Sequence, residues 1–277
     1  MKPIKNILVP TDFSDTAQNA LIYAIKFARM ANAKVTVLHA YHVPIAAVGA
    51  EFPIYNGPYA DEVENEVQAK FEEIKRNFLY ADLPEYEFIS RLGMAQEIIE
   101  NAANSGNFDL VIMGTHGGNA MQEVIGSTTS DMIKKSSLPI LAIPPNLQFK
   151  KVNKIVFATD YGKIGEPQAF AMLLTLAEIF HAEIDVLHIN PDGRKLTNVE
   201  TASGAIIDQY LKKVKHTYNV AFNEDLEKGI EEFIETRKAD LLAMMPRKRG
   251  LFEGMFHSSL TKKMAFHTHI PLLAFHE

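Results

Sequence analysis

The chain has 277 residues, of which 47% are hydrophobic and 22% are charged, so it can bury one large core or two of medium size. A net charge of −6 disfavours nucleic acid as a partner, and the absence of cysteine excludes disulfides, thiolate metal clusters and a cysteine nucleophile. Without a signal-peptide pattern or an apolar run of membrane-spanning length, we expect a cytoplasmic protein with no membrane insertion.

Four short apolar segments of the first half of the chain recur, in the same order, in the second half. The pairs are KNILVPTDFS (5–14) with NKIVFATDYG (153–162), KVTVLHAY (34–41) with EIDVLHIN (183–190), FDLVIMG (108–114) with ADLLAMM (239–245), and LPILAIP (138–144) with IPLLAFH (270–276). We therefore predict two tandem domains, residues 1–147 and 148–277, with the boundary near residues 146–151.

The recurring segments are rich in Val, Ile and Leu without polar alternation, which is typical of strands buried on both faces of a parallel sheet. Helical patterns lie between them. In the first half Ser14 suits a helix N-cap and residues 96–103 form another helical pattern, while Pro167 suits the first turn of a helix in the second half. This alternation predicts an α/β fold in which each half is a doubly wound, Rossmann-like, five-stranded parallel sheet. Ligands of such sheets bind beyond the carboxyl ends of the strands.

The first predicted strand ends in Thr11-Asp12, at the ligand-binding edge of the sheet. An aspartate at this point can accept hydrogen bonds from ribose hydroxyls, or it can cap the following helix. The residues alone leave both interpretations open. The segment 42–60 follows the second strand and has no counterpart of similar length in the second half. It either folds over a ligand or packs on the other domain.

The loop after the fourth strand of the first half is rich in glycine. It runs from Met113-Gly114 through Gly117 to Gly126-Ser127-Thr128, where a helix begins. Glycines let main-chain amides approach an anion, and the amino end of a helix adds unpaired N–H groups and a favourable dipole. The loop therefore predicts a phosphate site, in which Ser127 either caps the helix or binds a phosphate oxygen.

The VPTDFS segment, the VLH strand end, and MGTHG followed by GST together resemble the universal stress protein family, and the resemblance covers essentially the whole chain twice. The family's ATP-binding members carry a Gly-x2-Gly-x9-Gly-Ser/Thr loop. By position, the resemblance implies that adenine and ribose lie near Pro10, Thr11, Asp12 and Ala40. It implies that the phosphates of ATP, with or without Mg²⁺, lie near Met113, Gly114, Gly117, Gly126, Ser127 and Thr128. This chain has eight residues, not nine, between Gly117 and Gly126.

The second half has lost the glycines of this loop. Met245, Lys248 and His257 stand where the first half has its three motif glycines, and Pro246 lacks an amide donor. We therefore predict that the second domain keeps the fold but not the nucleotide site. The basic residues 247–249 either bind an anion or form a solvated loop, and the solvated loop is the favoured interpretation.

Three functions fit these patterns. The favoured one is a stress-response module that binds ATP as a sensor without rapid turnover, because no general base is evident. The alternatives are a slow Mg²⁺-dependent ATP hydrolase, for which His116 and Glu123 are the candidate acid–base residues, and a scaffold that binds a hydrophobic ligand or a protein. No catalytic residue and no metal site are predicted, and His267 and His269 are interpreted as surface histidines. Members of the resembled family often pair through their last strands, which implies pairing of segments 140–143 and 272–275 within the chain. A homodimer of whole chains is a further hypothesis.

Overall fold

The computed structural model describes residues 3–41, 58–78, 84–115, 127–162, 164, 166–246 and 258–276. The first half contains β1 (Asn6–Pro10), α1 (Asp15–Ala31), β2 (Lys34–Tyr41), α2 (Pro58–Phe78), β3 (Tyr86–Leu92), α3 (Ala95–Asn104), β4 (Leu110–Gly114), α4 (Ser127–Lys135) and β5 (Ile140–Ile143). The second half contains β6 (Lys154–Ala158), α5 (Ala171–Phe180), β7 (Glu183–Asn190), α6 (Asn198–Leu211), β8 (His216–Phe222), α7 (Leu226–Arg237), β9 (Leu241–Met244), α8 (Ser258–His267) and β10 (Leu272–Ala274).

The described strands form one sheet of ten, in the order β3-β2-β1-β4-β5-β10-β9-β6-β7-β8. Pairing is parallel within each half, and the order within each half is that of a doubly wound sheet. The predicted α/β fold of two five-stranded halves is therefore confirmed. β5 and β10 pair antiparallel, with Leu141 opposite Leu273, so the two halves lie in a single continuous sheet. The division between residues 147 and 148 stays a prediction.

The first helix of each half shows how local sequence sets the ends of the elements. Ser14 caps α1, as predicted, because its hydroxyl accepts the Ala17 amide at 3.3 Å. Asn32 ends α1 in the left-handed conformation at φ 51°, and His181 ends α5 in the same way at φ 54°. The starts of the helices differ, since a 3-10 turn over Pro167–Phe170 precedes α5. The second half thus lacks the first α-helical turns that the first half builds beside β4.

Helices cover both faces of the sheet, and two buried clusters each contain residues of both halves. Phe27 of α1 and Phe180 of α5 are fully buried, and their ring centroids lie 5.8 Å apart. Phe149 lies in the segment that joins the halves, and its ring centroid is 6.3 Å from that of Phe180. The halves therefore share apolar core as well as sheet. A helix suited to cross a membrane, which needs about 20 apolar residues, is not found among the described residues.

Candidate functional site

A cleft of about 210 Å³ opens at the carboxyl ends of β1 and β4, where the chain order of the sheet reverses. Helices α1, α3 and α4 also border it. The lining residues are Pro10, Thr11, Asp12, Ser14, Ala17, Leu38, Ala40, Ala95, Ile99, Met113, Gly114, Thr128 and Thr129. A crevice at this reversal point is the usual ligand site of open α/β sheets.

Seven of the residues that the sequence assigned to a nucleotide site line this one cleft. They are Pro10, Thr11, Asp12, Ala40, Met113, Gly114 and Thr128. Gly117 and Gly126 lie outside the described residues, as do His116 and Glu123, and Ser127 is described only as the first residue of α4. Segment 42–57 also lies outside them. The structure thus brings together both predicted parts of the site, the end of β1 and the start of α4.

The turn after β1 presents the carboxylate of Asp12. The Thr11 amide donates to the Leu38 carbonyl at 2.9 Å, and Thr11 Oγ1 accepts the Phe13 amide at 3.0 Å, with Phe13 at φ 64°. Asp12 Oδ1 accepts the Ser14 amide at 3.0 Å. Asp12 is therefore not the helix cap, a role that Ser14 takes. Among the described residues no hydrogen bond engages the other oxygen of this exposed carboxylate, which is available to a ligand.

His39 supports this turn from the end of β2. Its Nδ1 lies 2.8 Å from the Thr11 carbonyl oxygen, so the ring donates its Nδ1 proton to the main chain. Burial lowers the pKa of His39, and the hydrogen bond to Thr11 acts in the opposite direction. The imidazole packs on Phe13 with ring centroids 4.3 Å apart. His39 therefore positions the turn and does not line the cleft.

Gly114 lets β4 and α1 approach closely at the base of the cleft. A Cβ at this position would lie 2.6 Å from Thr16 Cγ2 and 2.9 Å from the Thr16 carbonyl oxygen. The Gly114 carbonyl accepts a hydrogen bond from Thr129 Oγ1 at 2.7 Å, which ties the first turn of α4 to the end of β4. This contact brings the amino end of α4, with its unpaired N–H groups and positive dipole end, to the cleft.

The remaining wall of the cleft is apolar. Leu38, Ile99 and Met113 are buried with at most 5% of their surface exposed, and Ala40 and Ala95 add small side chains. Of this wall, Leu38, Ala95 and Ile99 were not predicted from the sequence. Ala95 begins the helix that follows β3, so the strand-end rule could have identified it, whereas Ile99 enters one turn later through helix packing. The cleft thus combines an apolar wall, one carboxylate and a helix amino end.

The equivalent turn after β6 has the same main-chain geometry but a buried aspartate. The Thr159 amide donates to the Leu187 carbonyl at 2.9 Å, and Thr159 Oγ1 accepts the Tyr161 amide at 3.1 Å. Tyr161, like Phe13, has a positive φ, here 51°. Asp160 is buried with 6% exposed, whereas Asp12 is exposed. The Tyr161 ring stacks on His188 with centroids 5.1 Å apart, as the Phe13 ring packs on His39 in the first half.

Larger side chains also distinguish this turn. Ile189 occupies the position of Ala40 and is fully buried, and Met245 occupies the position of Gly114 with 7% exposed. Ser203 of α6 donates to the Gly162 carbonyl at 2.8 Å and so fixes that helix over the turn. The second half therefore keeps the turn but carries larger, buried side chains where the first half has Ala40 and Gly114.

Comparison with known proteins gives the same relationship for both halves. The model of the universal stress protein family matches residues 3–144 and 151–276. The chain is 24% identical over 295 residues to universal stress protein Slr1230 of Synechocystis sp., an alignment that covers 98% of this chain and 100% of that protein. It is 28% identical over 153 residues to universal stress protein MJ0577 of Methanocaldococcus jannaschii, covering 50% of this chain and 94% of that protein.

A solved structure resembles the whole fold. A universal stress protein from Archaeoglobus fulgidus superposes with a TM-score of 0.73 and 17% sequence identity, and the match covers 97% of each chain. The similarity therefore extends over both halves and their arrangement in one chain.

Proposed function

Because the chain belongs to the universal stress protein family, we propose that this stress-response protein binds ATP in the cleft of its first half and acts as a nucleotide-dependent sensor or binding module. The observation that carries the proposal is the convergence of the Asp12 turn, an apolar wall and the amino end of α4 on one cleft. Each of these features matches one part of an adenine nucleotide.

The apolar wall of Leu38, Ile99 and Met113 suits the faces of an adenine ring, since aromatic rings bury best against apolar side chains. The exposed carboxylate of Asp12 suits the ribose, whose two hydroxyls donate to a carboxylate oxygen. The amino end of α4 and the hydroxyl of Thr128 suit the phosphates, which helix dipoles and main-chain amides stabilise.

The chemistry of the cleft favours binding over turnover. Asp12 is the one ionisable side chain among the described lining residues, and its Oδ1 is held by the Ser14 amide. A hydrolase needs a group that orients or activates the attacking water. We therefore propose a nucleotide that is held rather than rapidly hydrolysed, with Mg²⁺ accompanying the phosphates.

The second half serves, in this proposal, as a structural partner. It pairs with the first half through β5 and β10 and through the Phe27–Phe180 contact, in the manner of a dimer within one chain. In its own turn Asp160 is buried, and Ile189 and Met245 stand where the first half has Ala40 and Gly114. The expected stoichiometry is therefore one nucleotide per chain.

Calorimetry with ATP and Mg²⁺ on the full chain tests the proposal. Asp12→Asn keeps an oxygen that can accept the Ser14 amide but removes the charge, so it should weaken ATP binding about 10-fold, the usual effect of losing a charge-assisted hydrogen bond. The matched control is Asp160→Asn, which makes the same change in the equivalent turn of the second half and should leave the affinity unchanged.

Absence of binding heat from the intact chain would reject the nucleotide site, and equal losses in both variants would reject its location. Circular dichroism of each variant confirms that it is folded. Phosphate release measured on the ATP-bound chain then distinguishes a sensor from a hydrolase, because turnover above the protein-free rate would contradict a purely binding role.

A further inference from the structure

Helices α7 and α8 of the second half bring together three side chains that commonly bind metal ions. Glu227 and Glu231 lie one turn apart on α7, and His267 is the last residue of α8. One donor atom from each of these residues lies within 4.8 Å of the other two, and His267 Nδ1 is hydrogen-bonded to Glu227 Oε1. Two carboxylates and an imidazole form a donor set that suits Zn²⁺ and related divalent transition metals.

Glu227 and Glu231 place two carboxylates within 4.8 Å of each other on α7. The Lys263 ammonium approaches only to 3.9 Å from Glu227 Oε2 and is largely exposed to solvent. A divalent cation between the carboxylates would remove their mutual repulsion.

The first half provides an internal comparison, because the same helix positions there carry other chemistry. Gln96 and Glu100 occupy α3 where Glu227 and Glu231 occupy α7, and Ser136 stands where His267 stands. Ser136 is buried, and its hydroxyl oxygen accepts the Leu138 amide at 3.0 Å. The shared fold therefore does not require the Glu-Glu-His set, which is a specific property of the second half.

We propose that Glu227, Glu231 and His267 form a binding site for one divalent transition-metal ion, with Zn²⁺ as the best match to the donors. The ion links the first turns of α7 to the end of α8, and α8 is the helix that follows the loop in which the second half has lost its phosphate-binding glycines. A three-residue ligand set leaves a fourth coordination position for water. The metal would thus fix, in the second half, a helix whose counterpart α4 borders the cleft in the first.

Equilibrium dialysis of the tag-free, metal-free full chain against ZnCl₂, with zinc measured by atomic emission, tests this site. The expected result is one tightly held Zn²⁺ per chain. Glu231→Gln and His267→Gln each remove one ligand, and each should weaken zinc binding about 10-fold or more. The matched control is Glu100→Gln, which makes the same change at the equivalent position of α3 and should leave zinc affinity unchanged.

Thermal unfolding gives a second measurement that does not depend on counting ions. Zinc should raise the melting temperature of the wild-type chain and of Glu100→Gln, and this rise should disappear in the Glu231→Gln/His267→Gln double variant. Zinc binding that survives in a folded double variant would place the ion on other histidines and overturn the proposal. Failure of the wild-type chain to retain zinc would overturn it equally.

Discussion

The turns after β1 and β6 have the same main-chain hydrogen bonds but differ in the size and burial of the side chains around them. In the first half a cleft lies beside the exposed Asp12, where Ala40 adds little side chain and Gly114 lets α1 approach β4 closely. In the second half, Met245 and Ile189 occupy the same positions and Asp160 is buried. A repeated backbone therefore preserves a turn, whereas the side chains at a few positions decide whether a ligand can reach it.

The largest expected effect comes from truncating a large buried side chain beside the turn of the second half. Met245 is 7% exposed and belongs to the same buried cluster as Tyr161 and Phe275. Met245→Ala should therefore lower the free energy of unfolding by about 3 kcal/mol, from lost burial and the cavity left behind. Urea unfolding measures this change. Met30→Ala removes the same atoms from a side chain that is 43% exposed, and it should have little effect.

A loss below about 1 kcal/mol in Met245→Ala would indicate that Met245 is not tightly packed beside the turn of the second half. In that case the contrast between the two turns would rest on the buried Asp160 and Ile189 alone.

A smaller effect is expected from adding one carbon to the open half. In Gly114→Ala the new Cβ meets both the side chain and the carbonyl oxygen of Thr16, so main chain must move. We expect a destabilisation of about 2 kcal/mol, typical of overpacking, measured by urea unfolding. Gly204→Ala is the control, because a Cβ there meets only Tyr161 Cε1 at 3.8 Å and the residue lies within helix α6.

Gly204→Ala should stabilise the chain by about 0.5 to 1 kcal/mol through helix propensity. Changes of the same sign in the two glycine variants would contradict the close approach of β4 to α1 on which the open cleft depends.

The smallest expected effect concerns the helix that covers the turn of the second half. Arg194 donates two hydrogen bonds to the Glu200 carboxylate, at 2.8 and 2.7 Å, and thereby lowers the pKa of Glu200 to about 2. Because the folded-state pKa lies below the ordinary value of 4.5, ionised Glu200 stabilises the fold above pH 4.5. That contribution is lost as the pH falls from 4.5 towards 2.

Glu200→Gln should therefore cost about 1 kcal/mol at pH 7, and the difference from wild type should vanish at the acid end of this range. Thermal unfolding across the pH range measures the difference. Glu224→Gln changes an exposed carboxylate and should not alter stability at pH 7. A difference in stability that does not change with pH would show that the ion pair does not anchor α6 over the turn.

Much of the fold could be predicted from the sequence because its determinants are local. Apolar runs of strand length, helical patterns between them and their recurrence determine a parallel sheet with crossovers. The strand-end rule selects the loops at the carboxyl edge of the sheet, and for that reason the sequence predicts that Thr11, Asp12 and Gly114 lie together there. Ile99 and Thr129 could not be predicted in this way, because they lie within helices and reach the cleft only through the packing of α3 and α4.

By itself the sequence determined the repeat, the order of the elements and the loss of glycine in the second loop, since each depends on residues close together in the chain. The structure was needed to show the antiparallel register of β5 and β10, the burial of Asp160 and the contact of His267 with Glu227, 40 residues away. Those contacts depend on the packing of distant segments in three dimensions. Local residue patterns do not encode such packing.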